Sequence, residues 1–130
     1  MSAALLLLLT TTLASAAEVA ASGVWTTKNY EIAGGWRIVI DGDGRFVELD
    51  EDFNTKKAPD LKLFLSPLPL ADLTDRNATN SAVLIAPLES HHGEARYPIE
   101  PGVDLSVFQT VFIHCQRYSK LWGGAALEIE

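Results

Sequence analysis

The apolar residues of this 130-residue chain arrive in short alternating runs, each cut off by Gly, Pro, Asp or Asn. No stretch of about ten residues carries the 3.6-residue spacing of an amphipathic helix. A period of two puts alternate side chains on one face of a strand. Residues 36–40 place Trp36, Ile38 and Ile40 together, and residues 60–66 do the same for Leu61, Leu63 and Leu65 before Pro67 and Pro69 end the run. Asp41-Gly42-Asp43-Gly44 separates the first of these from residues 45–49. Asp-Gly between alternating strands predicts a tight hairpin, since glycine accepts the positive φ such a turn needs. Further strands are expected at 30–33, 82–88, 94–99, 110–115 and 125–129, with single helical turns within 70–81 and 104–108. Residues 54–58 and 116–122 read as loops. The sum is an all-β fold, an antiparallel β-sandwich or flattened barrel of about 7–9 short strands with minor helical turns.

The N-terminus reads differently. A leucine run at 5–9 followed by Ala14-Ser15-Ala16 has the apolar centre and small-residue cleavage site of an export signal, although no Lys or Arg precedes it. Residues 1–17 are therefore expected to be a signal peptide, and the protein to be secreted or periplasmic. The run is shorter than the ~20 residues that cross a bilayer, and no later segment approaches that length, so no transmembrane segment is expected in the mature chain. Without residues 1–17 the chain is long enough for one domain with its own core and too short for two. Ten basic against seventeen acidic residues give a net charge of −7, which argues against a nucleic-acid partner because phosphate backbones need a cationic face.

Chemistry narrows to few residues. Cys115 is the single cysteine, so an internal disulfide, a CxxC pair and a multi-cysteine metal site are excluded within this chain. A buried inert thiol, a reactive thiol, an intermolecular bridge and a cofactor ligand remain open. His114 precedes it, but in regular strand Val111, Ile113 and Cys115 share one face while Phe112 and His114 take the other. The imidazole then cannot reach the sulfur, and Arg117 or Lys120 are the nearby cations that could favour a thiolate. Asp41-Gly42-Asp43-Gly44 looks like the start of a calcium loop, but Arg45 and Phe46 stand where a ligand and a glycine are required. Asp50-Glu51-Asp52 with Asp60 reads as a solvated acidic loop and His91-His92 as a surface turn, each with weak metal binding as the alternative. No metal site is assigned. Asn77-Ala78-Thr79 has the form of a glycosylation sequon.

Several of these stretches in order resemble the DM13 domain family: YEIAG at 30–34, Asp52-Phe53, APDLKLFLS at 58–66, GEARYPI at 93–99, VFIHCQRY at 111–118 and AAL at 125–127. The resemblance spans roughly residues 23–128. It implies an extracytoplasmic β-rich module with a redox or electron-transfer role through its single cysteine, here Cys115, acting as a thiol or as ligand to a prosthetic group such as haem. A separate redox partner protein is implied with it. The family commonly has Trp where this chain has His114. The alternative is a non-catalytic structural or binding β-sandwich in which Cys115 is buried and inert.

Overall fold

Alternating side chains pair strands into sheets only if the apolar faces find each other, and here two sheets do so. The computed structural model describes residues 3–8 and 17–130. The expected signal at 1–17 lies for the most part outside the described residues, and residues 3–8 are exposed and without regular structure. Among the described residues the strands are β1 (Glu18–Val24), β2 (Thr26–Thr27), β3 (Ile32–Ala33), β4 (Gly35–Asp41), β5 (Gly44–Leu49), β6 (Asn54–Thr55), β7 (Leu61–Ser66), β8 (Val83–Pro87), β9 (Ala95–Ile99), β10 (Thr110–Cys115) and β11 (Lys120–Ala126). One sheet has the order β1-β4-β5-β9, the other β2-β11-β10-β7-β8, and β3 pairs with β6. Helix is confined to single 3-10 turns at Leu70–Asp72 and Leu105–Val107. All named strand pairs are antiparallel, so the chain is an all-β sandwich.

The expected hairpin is present. Ile40 pairs with Arg45 and Asp41 with Gly44, leaving Gly42-Asp43 as the two-residue turn. Gly42 takes φ 61° at the first central position, where such turns place glycine. Trp36 and Ile38 of β4, Val47 and Leu49 of β5 and Tyr97 and Ile99 of β9 meet Leu61, Leu63 and Leu65 of β7 and Val111 and Ile113 of β10 in one core. Each large apolar side chain so buried stabilises the fold by ~1.5–3 kcal/mol. Ile40, expected on the face of Trp36 and Ile38, lies next to the turn and is partly exposed.

Four expectations need correction. The expected strand at 30–33 shrinks to Ile32–Ala33, and the loop expected at 54–58 supplies its partner Asn54–Thr55. β1 at Glu18–Val24 precedes the first strand that the sequence predicts; its small residues Ala20, Ala21, Ser22 and Gly23 show no alternation of bulk. The loop expected at 116–122 is only a turn. β11 already starts at Lys120, because Leu121 pairs with His114 and Lys120 with Cys115 across a bulge. The last strand therefore ends at Ala126.

The outer face of the second sheet is also covered. Phe64 and Phe112 stack at 5.1 Å with rings 9° from parallel, and Leu73, Ala78 and Leu121 close over them as a second, smaller core. Residues 70–81, which the sequence reads as a polar loop with one helical turn, thus belong to a flap over residues 68–82 whose apolar residues cover β7 and β10. Every residue of β10 is buried as a result.

Candidate functional site

β10 ends at the two residues singled out by sequence, and alternation sends them to opposite sides of the sheet. Cys115 joins the main core and is 0% exposed. Its register partners are Leu61 on β7 and Lys120 on β11. The strand end is fixed by the Gln116 N–H, which donates to the Asp60 carbonyl at 3.1 Å. Leu61 also forms part of the wall of a cleft of about 200 Å³, together with Ala58, Leu88 and His91. Directly opposed residues of an antiparallel pair have Cβ atoms ~5 Å apart. The enclosed thiol thus belongs to the residue directly opposite Leu61, a wall of this cleft.

The expected electrostatic helpers are not brought to it. Arg117 is exposed in the β10–β11 turn, and the Lys120 ammonium lies 3.2 Å from an Asp75 carboxylate oxygen. His114 is on the other face, as strand geometry requires. A thiolate ligand must stand in the wall of the cavity that holds its prosthetic group, whereas Cys115 has no exposed surface and lines neither cleft beside β10. The haem implied by the resemblance does not fit at Cys115 in this arrangement.

His114 is the residue with unmet chemistry. It is 2% exposed, its ring stands edge-on to both Phe64 and Phe112, and neither ring nitrogen has a hydrogen-bond partner. A buried polar group left so costs about 1–3 kcal/mol. Burial pushes its pKa below the ordinary imidazole value, outweighing the Asp75 backbone and the Asp75 and Asp60 carboxylates, which act the other way. The ring is therefore neutral at pH 7 and offers one donor and one acceptor nitrogen.

The ring lines a polar cleft of about 600 Å³ between the β10–β11 turn and the flap. Asp75 latches the two together: Oδ1 accepts from the Leu121 N–H at 2.9 Å and from the Asn29 amide at 2.8 Å, and Oδ2 faces Lys120. Burial alone would raise its pKa, but these bonds outweigh it and hold the carboxyl below the usual range. Sequence reading missed this latch, because Asp75 is one acid in a polar stretch and nothing marks its tie to Leu121, 46 residues on.

The other candidates have structural employment. Asp50 accepts from the Gly35 N–H at 2.7 Å and the Asp52 N–H at 3.0 Å, which pins the bend before β4. His91 and His92 stand 4.7 Å apart, ring edge to face. No group of three His, Cys, Asp or Glu side chains suited to a metal ion occurs among the described residues. Asn77 accepts from the Thr74 N–H and donates to the Asp72 carbonyl, so its amide holds the flap's turn.

Fold and site together define a small antiparallel β-sandwich domain with a single thiol enclosed at the end of a central strand. A family model described as electron transfer DM13 matches residues 25–127, and the chain belongs to that family. No curated protein matches it, and no solved structure does.

Proposed function

We propose that this chain is an extracytoplasmic electron-transfer module that works with a separate redox partner, and that Cys115 carries the redox step. The family description supplies electron transfer, and the leucine run with its small-residue cleavage site supports export. The observation that carries the reading is the position of Cys115, fully enclosed and directly opposite Leu61, which is itself a wall of the cleft at Ala58 and Leu88. A lone thiol cannot close an internal disulfide, so its exchange needs a second molecule. Attack of the Cys115 thiolate on a partner's disulfide forms a mixed disulfide and expels the partner's other sulfur as a thiolate, the Cys115 proton having passed to solvent. Access comes through local opening at the rim of this cleft, where the Leu88 N–H donates to the Leu61 carbonyl at 2.9 Å.

A second reading, favoured by the complete burial of the sulfur, is a non-catalytic sandwich with Cys115 as ordinary core. An aromatic disulfide reagent that releases a coloured thiolate separates the two. For a redox thiol the native protein reacts through an opening well below its global unfolding free energy, and Cys115→Ser gives no colour. Reaction at the rate set by global unfolding would leave only the inert cysteine.

A further inference from the structure

We infer that the cleft between the flap and the β10–β11 turn binds a small organic anion, its acidic group held by Arg76 and its body hydrogen-bonded to His114. This site lies on the opposite face of β10 from Cys115 and stands independently of the redox reading. The carrying observation is the His114 ring, 2% exposed and lining the cleft, with neither nitrogen in a hydrogen bond of normal geometry and the Asp75 backbone near enough only to favour its charged form. Buried polar groups are ordinarily hydrogen-bonded, and here the flap and strand side chains leave that role to whatever occupies the cleft.

The surrounding groups select the charge of the occupant. Asp75 is the one acid in the lining, and both its oxygens are already taken by Leu121, Asn29 and Lys120. It neither repels an anion strongly nor remains free to ligate a cation. Arg76 enters none of the ion pairs among the described residues, so its planar fork is available for a carboxylate or phosphate. Thr79, Tyr118 and Ser119 add hydroxyl donors. In a chain of net charge −7, this is a local surplus of donors over free acceptors. The ring nitrogens are closed to solvent as the side chains stand, and Tyr118 and Ser119 at the rim are exposed. Rotamer changes of exposed side chains take picoseconds to nanoseconds, so an occupant can displace them.

NMR of the imidazole nitrogens in the full chain, titrated separately with inorganic phosphate and with succinate, tests the site. Saturable movement of the His114 signals is expected with at least one of the two, and the effective anion assigns the acidic group as phosphate or carboxylate. His91 and His92 serve as surface controls and should stay still. In Arg76→Gln, an exposed position away from both cores, affinity should fall about tenfold, equivalent to about 1.4 kcal/mol. Silence of the His114 signals with both anions would overturn the inference, as would unchanged affinity in Arg76→Gln. A third arm uses Zn²⁺ alone. Saturable movement with Zn²⁺ that Arg76→Gln leaves intact, with no anion response, would make the ring a metal ligand and reject the anion site.

Discussion

Replacing Phe112 by Ala asks whether β10 is buried on both faces, on which the placement of His114 depends. Phe112 is 0% exposed, stacks on Phe64 at 5.1 Å and is roofed by Leu73 and Leu121 from the flap and β11. Truncating a buried phenylalanine to alanine costs about 3–5 kcal/mol when the surroundings cannot collapse into the space. Collapse is limited here, because β10 is held by β7 and β11 on either side and Asp75 ties the flap to the Leu121 N–H. A loss of about 4 kcal/mol is a large share of the roughly 5–15 kcal/mol that a domain has in total. With a urea slope of about 2 kcal/mol/M, the midpoint should drop by about 2 M. Trp25, Trp36 and Trp122 are all buried, so their fluorescence reports the transition. Phe64→Ala should cost a similar amount, and the double variant less than the sum, since a stacked pair is worth about 0.5–1.5 kcal/mol beyond the area it buries. A loss below about 1 kcal/mol for Phe112→Ala would mean that the flap does not cover this face, and the enclosure of His114 would fall with it.

Stability should decrease as pH falls below 6.5, the ordinary imidazole value: the unfolded chain takes up the His114 proton first, and the difference grows until the pH passes the lower folded pKa. His114→Phe should flatten that slope in chemical denaturation series run across pH 7 to 5, and an unchanged slope would contradict the burial of the ring. Asp75→Ala removes acceptors from Leu121, Asn29 and Lys120 at once, and leaving the Leu121 N–H unpaired should cost about 1–3 kcal/mol; equal loss from Arg117→Ala, which frees no buried group, would argue against the latch. Cys115→Ala should be tolerated better than Cys115→Ser, because an enclosed hydroxyl without a partner costs about 1–3 kcal/mol. Unfolding curves for the two variants check the order, and the reverse order would mean that the sulfur's surroundings are polar.

The parts of this fold that sequence discloses are those in which one residue type decides the local geometry. Gly42 fixes the hairpin, and the leucines of 61–65 fix the inner face of β7. Two kinds of feature escape. The first is pairing decided by tertiary contact, as in β11: Gly123 and Gly124 fall between the loop and the strand that the sequence predicts, yet a Cβ at Gly123 would stand 2.7 Å from the Thr26 carbonyl oxygen, so the glycine is there to let β2 approach. The second is burial of the second face. Period-two alternation in 60–66 marks Leu61, Leu63 and Leu65 as inward and says nothing of Phe64, whose cover comes from the polar-looking residues 68–82. At the site, alternation alone separates His114 from Cys115, because the rule concerns the backbone and not the neighbours. The burial of both residues could not be read in the same way, since each depends on strands and a flap far away in sequence.

That separation bears on how a thiol here could be used. A cysteine nucleophile is ordinarily activated by an adjacent base or cation, but the imidazole is on the outer face and the Lys120 ammonium is spent on Asp75. Slipping β10 by one residue would not join imidazole and sulfur either, since it would turn Val111, Ile113 and Cys115 outward, bring Phe112 and His114 into the main core and leave the two on opposite faces. Two neighbouring strands oppose that slip, with β10 in register against β7 along its whole length and against β11 across one bulge. The chain therefore cannot supply the base from its own β10. Under the proposed redox role, a group that assists the Cys115 sulfur would therefore come from outside β10, and the cleft lined by Leu61 is the route proposed for it. In that proposal partner specificity would rest on the cleft walls at Ala58, Leu88 and His91, away from the cleft that His114 lines on the other face of β10.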